Sequence, residues 1–323
     1  MQHRPLLIRP VLFDTDIGSD CDDAVALGLI LRSADALGLV AVTTVSARPR
    51  ERARIAASLL GLVGRHDVDV CAGEAGGLAR PPERFNWFGH EERCVADAPL
   101  VPISDEPAPE RIVRAAREVP GLEVAMVGPL TNLARALAIE PELPRLVAGV
   151  TIMGGHIREA RIGDFVCPWG IDYNLCSDPE ASVAVLGAGF QTTLVTADVT
   201  LQTWLTRADL ARLEAAGPLA RELGRHIRFW EPIQPEIFTG IGGRLAGDNV
   251  SFLHDPLAVL ALIDERPLHF ETLRIAAVIE NGTLRTREVD AASDAGSAMR
   301  VATAVDAAAA RETILARLLT RTG

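Results

Sequence analysis

Five aspartates crowd into ten positions near the start of the chain: Asp14, Asp16, Asp20, Asp22 and Asp23, within FDTDIGSDCDDAVAL, residues 13–27. An aspartate at a helix start gains ~0.3–1 kcal/mol from the helix dipole, which accounts for one or two of them. It does not account for five, because two unit charges 4 Å apart repel by roughly 4 kcal/mol at an effective dielectric near 20. A bound cation removes that conflict. Hard carboxylate oxygens at mixed spacing suit Ca²⁺ or Mg²⁺. Gly18 permits a tight turn inside the stretch, and Asp22 and Asp23 fall where a helix should begin.

The rest of the composition narrows the chemistry. The chain of 323 residues has 32 lysines plus arginines, and all of them are arginine. Mechanisms that need a lysine Schiff base or a phosphate-loop lysine are therefore excluded. A net charge of −11 repels phosphate backbones and anionic lipid surfaces, which argues against nucleic acid and membranes as partners. Five cysteines, an odd number with no CxxC pair, read as reduced thiols of a cytoplasmic protein. The first residues, MQHRPLLIRP, contain no long apolar run, and no stretch approaches 18 apolar residues, so neither secretion nor a membrane span is expected.

The elements that must position these residues alternate. Strand-like runs at 11–13, 39–45, 68–71, 124–127, 150–153 and 192–195 are interleaved with helical patterns at 22–32, 50–62, 111–119, 130–139 and 179–186. A helical stretch over 203–230 follows, then a helix at 255–262, strand-like runs at 273–279 and 299–304, and a last helix at 307–319. Alternating strands and helices predict an α/β fold with an open, mostly parallel sheet covered on both faces and a Rossmann-like core. Ligands of such folds sit at the carboxyl ends of the strands. Two irregular stretches, 74–106 and 156–177, are long enough to be functional loops. No repeat or linker divides the chain, so residues 1–323 read as one domain.

The acidic stretch fits two known patterns. Asp14-Thr15-Asp16 superficially matches the hhhhDxDx[TG] motif of haloacid-dehalogenase-like phosphatases, but those enzymes also share a downstream lysine that this chain lacks. The whole stretch resembles the DxDPGxDDAxAL signature of the inosine-uridine-preferring nucleoside hydrolases, in a DTDxGxDxDDAxAL form. Ile17 stands for the usual proline, and two extra residues precede Asp22-Asp23. Further blocks follow in order: Val127-Gly128-Pro129-Leu130-Thr131-Asn132-Leu133-Ala134, Met153-Gly154-Gly155, Asp172-Tyr173-Asn174 with Asp178-Pro179-Glu180-Ala181, and His254-Asp255-Pro256.

The resemblance implies calcium-dependent hydrolysis of a ribonucleoside's N-glycosidic bond. It assigns Ca²⁺ ligation to Asp16, Asp23, the carbonyl of Val127 and Asp255, and it implies a homodimer or homotetramer. Asp22 is the candidate general base, with Asp20 as the alternative because the insertion shifts the loop. His254 is the candidate donor to the departing base, since an imidazole with a pKa near ~6.5 suits proton donation close to neutrality. Asp14, Met153, Asp172, Asn174 and His90 are candidate substrate contacts. Asp172 and Asn174 alternatively cap the segment that follows them. Arg48, standing about where the family places an asparagine, is either a surface residue or the mark of an acidic substrate. Trp230 and the aromatics of residues 85–91 are candidates for stacking on a base. Two other functions stay open: a non-catalytic ribose- or metal-binding protein, and a phosphatase.

Overall fold

The computed structural model describes residues 8–168 and 170–320. Its central element is a ten-stranded sheet. In spatial order the strands are Thr283–Val289, Leu268–Glu280, Ser297–Val305, Thr192–Val195, Gly149–Met153, Glu123–Met126, Arg9–Thr15, Leu37–Thr44, Asp69–Ala72 and Ile103–Ser104. From Ser297–Val305 to Ile103–Ser104 every neighbouring pair is parallel. Leu268–Glu280 alone runs opposite to the other nine strands.

Both faces of the sheet are covered, and the first strand shows why. Successive strand residues point to opposite faces. Val11 and Phe13 belong to one apolar core, whereas Leu12 belongs to the other. The first core gathers helices Asp22–Leu31, Pro49–Leu62, Pro218–Trp230, His254–Ile263 and Ala307–Leu318. The second gathers Ala108–Glu118, Thr131–Ile139 and Pro179–Leu186. A strand buried on both sides must be apolar throughout, which explains why these runs read as continuous rather than alternating. No helix among the described residues is long and apolar enough to cross a membrane.

The structure corrects the sequence reading in several places, three of them bearing on the fold around the cavity. The stretch 203–230 is not one helix. Trp204–Thr206 is a strand paired antiparallel with Asn249–Phe252, and two helices follow, Arg207–Glu214 and Pro218–Trp230. Thr206 and Asp209 form a capping box that starts the first helix, and Pro218 at the head of the second enforces the break. Second, Thr283–Val289 is a strand that returns against Leu268–Glu280. Asn281 and Gly282 turn it with φ of 52° and 75°, the left-handed pair that an Asn-Gly hairpin turn requires. Third, the irregular stretch 156–177 contains a small hairpin, Arg161–Ile162 with Phe165–Val166, and a short helix, Tyr173–Ser177.

Candidate active site

The chain leaves the first strand at Thr15, crosses a six-residue loop and enters helix Asp22–Leu31. Gly18 makes the turn at φ 120°, and a Cβ there would sit 2.7 Å from Ile55 Cδ1. Asp22 and Asp23 occupy the first helical turn, where the dipole favours negative charge. Asp255 occupies the first turn of helix His254–Ile263, so two helix N-termini converge. They are joined directly: the Asp255 N–H donates to Asp22 Oδ2 at 3.2 Å, and the Asp23 N–H donates to Asp22 Oδ1 at 3.1 Å. The Thr15 hydroxyl donates to Asp23 Oδ1. Gly128 closes the group from the neighbouring strand end, where a Cβ would meet Asp16 N at 2.9 Å and Asp16 Oδ1 at 3.0 Å.

These groups floor a cavity of about 480 Å³. It is lined by Asp16, Asp20, Asp22, Asp23, Val127, Met153, Asp172, Asn174, His254 and Asp255, among others. Of the residues singled out in the sequence, these ten come together, with Phe88 and Trp230. The ten follow the carboxyl ends of three parallel strands or begin helices there, as the fold requires. Asp22, Asp23 and Asp255 are buried, with ligand oxygens within 4.8 Å of one another. The structure thus places Asp22 beside two of the expected ligands.

Burial raises the pKa of Asp16, Asp22, Asp23 and Asp255, and repulsion from neighbouring aspartates adds to it in Asp22, Asp23 and Asp255. Asp20 is pushed up to about 7, again chiefly by burial. A set of carboxylates that cannot all ionise unaided, beside an uncharged carbonyl at Val127, fits a hard divalent cation. The residues present therefore suit a metal.

The opposite wall is built by residues 170–177. Asp172 caps helix Tyr173–Ser177 by accepting from Asn174 N and Leu175 N at 3.1 and 3.2 Å, and burial pushes its carboxyl up to about 6. It therefore caps the helix and lines the cavity at once. The Asn174 amide nitrogen donates to Val127 O at 2.8 Å and Met153 O at 3.2 Å, which leaves its oxygen as an acceptor for a hydroxyl. His254 Nδ1 lies 2.6 Å from Thr200 Oγ1. Burial pulls the imidazole down to about 4, so it is neutral at pH 7. This corrects the expectation of a histidine titrating near neutrality.

Two expected contacts, Asp14 and His90, are absent from the cavity wall, and so is Arg48, for which the sequence left a surface position open. Asp14 has no exposed surface. It accepts from Thr43 Oγ1 at 2.6 Å and Asn132 Nδ2 at 2.7 Å, and burial pushes it up to about 7. It braces the strand ends through Oδ2 and is not among the residues that line the cavity. His90 packs beside Phe88 and Trp230, with ring centroids 6.0 and 6.2 Å away, while Asn86, Phe88 and Trp230 themselves line the cavity. Arg48 lies outside. It pairs with Glu92 at 3.3 Å and sits 4.8 Å over the Trp87 ring. Arg48→Asn is accordingly expected to leave kcat/KM for inosine and uridine within about twofold of wild type, as for a surface substitution. A gain well above that, measured on both substrates, would return Arg48 to the site.

Other cavity residues went unnoticed in the sequence: Arg80, Arg84, Ile237, Phe238 and Ile241. None sits in a motif. Arg52 was also missed. It is fully buried on a helix whose buried stripe includes Ile55, Ala56 and Leu59. An arginine in register with that stripe was a readable signal.

Residues 11–312 match the family model described as inosine-uridine preferring nucleoside hydrolase. A pyrimidine-specific ribonucleoside hydrolase, RihA, from Shewanella woodyi is 30% identical over 269 residues, covering 80% of each chain. A probable uridine nucleosidase 2 from Arabidopsis thaliana is 28% identical over 335 residues, covering 96% of this chain and 98% of its own. Among solved structures, a plant nucleoside hydrolase superposes with a TM-score of 0.83 at 22% identity, covering 98% and 100%. A purine-preferring ribonucleoside hydrolase from Gardnerella vaginalis gives 0.81 at 23%, covering 96% and 98%. Carrying these blocks in order on the same fold, the chain belongs to the inosine-uridine preferring nucleoside hydrolase family and is an N-ribosyl hydrolase.

Proposed function

We propose that the protein hydrolyses the N-glycosidic bond of a ribonucleoside to free base and ribose, with Ca²⁺ as its resident cation. The observation that carries this reading is the meeting of Asp22, Asp23 and Asp255 in one cavity with Asp172, Asn174 and His254. A hard cation held by Asp16, Asp23, Asp255 and the Val127 carbonyl would orient the sugar hydroxyls and lower the pKa of water. Asp22, between Asp23 and Asp255, takes the proton from the attacking water. Asp172 and Asn174 hold ribose hydroxyls on the opposite wall. Breaking the bond builds positive charge on the sugar, which the acidic floor stabilises.

As the base leaves, His254 gives it a hydrogen bond. His254 Nδ1 lies 2.6 Å from the Thr200 hydroxyl; in the tautomer that serves this role the hydroxyl donates to Nδ1 and the imidazole proton sits on Nε2. Phe88, Trp230, Ile237 and Phe238 provide the apolar wall that a base needs. The relatives' names cover both pyrimidine and purine ribosides, so inosine and uridine are the first substrates to try. We place the enzyme in the cytoplasm, as a single domain that forms a homodimer or homotetramer. Its five cysteines, an odd number with no CxxC pair, suit a reducing compartment.

The test is ribose release from inosine, uridine and a chromogenic riboside, in calcium and after chelation. Cation-dependent release is the expected result. Nucleoside binding without any turnover would mean that the protein is a non-catalytic member of the fold.

A further inference from the structure

Arg52 carries a full charge with no exposed surface. No carboxylate is in ion-pair contact with it among the described residues; its hydrogen bonds go to backbone carbonyls and one hydroxyl. Nε donates to Ser46 O at 3.0 Å. Nη1 donates to Asp16 O and, at 3.0 Å, to Ile17 O. Nη2 donates to Ser19 Oγ at 3.0 Å and to Asn86 O at 2.9 Å. One guanidinium therefore holds both the acidic loop and the segment that lines the cavity at Asn86 and Phe88.

A second buried charge completes the arrangement. Glu91 has no exposed surface. It accepts from Phe88 N at 2.7 Å and Gly89 N at 2.6 Å, and from the Ser19 hydroxyl at 2.9 Å. Ser19 thus receives a hydrogen bond from Arg52 and gives one to Glu91, joining opposite charges through a single oxygen. Each charge would be costly alone in this interior. The rim is also anchored on its far side, where Asn86 N donates to the Tyr173 hydroxyl at 2.9 Å. Any shift of the Asp16–Ile17 carbonyls is felt by the same guanidinium that holds Asn86.

We propose that Arg52, Ser19 and Glu91 are positioning residues through which cation binding in the acidic loop orders the 86–91 rim. The aromatic wall for the base is then complete only when the cation is in place. The inference rests on the reading of the cavity as a cation-dependent nucleoside site.

Hydrogen–deuterium exchange on the full chain, with and without calcium and with no nucleoside, tests it directly. In the wild type, calcium should slow exchange of the 86–91 amides by about tenfold, within the usual range of coupling between sites. Ser19→Ala removes the bridging hydroxyl with little change of volume, and Glu91→Gln removes the charge while keeping the shape. In both variants calcium should still raise the Tm, but the slowing at 86–91 should vanish. The KM for uridine should rise about tenfold with kcat changed much less, a split that a general loss of stability would not produce. Should Glu91→Gln fail to fold, Ser19→Ala carries the test. Undiminished slowing in Ser19→Ala, or a wild-type rim indifferent to calcium that nonetheless raises the Tm, overturns the coupling. A wild type that neither binds calcium nor cleaves uridine overturns the cation-dependent reading itself.

Discussion

Chelating divalent cations at pH 8 is expected to abolish hydrolysis and lower the Tm, whereas at pH 5 the same treatment should move the Tm much less. The sign follows from the buried aspartates. Asp14 and Asp20 are pushed up to about 7 and Asp172 to about 6, from an ordinary value of 3.8. Asp16, Asp22, Asp23 and Asp255 are raised as well. Between about pH 4 and pH 7 the cation-free fold keeps protons that the unfolded chain has released. Its stability contribution from these groups therefore falls as pH rises through that window. A cation binds the ionised carboxylates, so its stabilising effect grows over the same range. At a free cation concentration near 100 times Kd, the gain is about 2.7 kcal/mol. For a chain of this size that corresponds to about 4 °C. Calorimetry with and without calcium at the two pH values measures it. Full activity after exhaustive chelation would remove the cation from the mechanism. An equal Tm shift at both pH values would show that carboxylate protonation does not govern binding.

Asp22→Asn is expected to lower kcat by at least ~10²-fold, the lower end for loss of a general base, while calcium still raises the Tm. Both Asp22 oxygens accept backbone N–H groups, from Asp23 and Asp255. An asparagine can accept on one side only and must present its own N–H₂ to the other donor. Some loss of stability therefore accompanies the substitution, and the retained calcium shift separates that loss from the catalytic effect. Asp20→Asn is the informative control. Asp20 also lines the cavity, but its oxygen accepts from Cys21 N at 2.6 Å within its own turn. If Asp20→Asn is the crippled variant and Asp22→Asn remains active, the base is Asp20.

Much of the site was readable because its residues occupy strand ends and helix starts. The run Val11–Phe13 before the acidic stretch, and the helix pattern after it, placed Asp16, Asp22 and Asp23 at a sheet edge. His254-Asp255-Pro256 at the head of a helix placed the last carboxylate. What failed depended on partners distant in sequence. Asp14 looks like its neighbours until Thr43 and Asn132, 29 and 118 residues away, both donate to its Oδ2. For Arg48 the sequence left a surface position open, and the structure takes it: Ser46 and Ala47 precede it with φ values of 79° and 51°, a strained pair. The strand Trp204–Thr206 is three residues long and exists through its pairing with Asn249–Phe252, too short for a period-two signal. By contrast, the Asn281-Gly282 turn was present in the sequence and could have been read.

The hydrogen bond from Asp255 to Asp22 spans 233 residues, and this has a consequence for biosynthesis. A chain grows from its N-terminus at ~5–20 residues per second, so the acidic loop leaves the ribosome well before the helix that completes it. For roughly ten seconds or more at that rate the aspartates of residues 14–23 are present without their last partner. Bringing such distant segments together is slow because loop closure must precede the contact that rewards it. During that interval the loop's own negative charge keeps it solvated and discourages premature collapse around it. The cation site is thus among the last features the newborn chain can complete, and metal capture reports that the polypeptide has been made at least as far as residue 255.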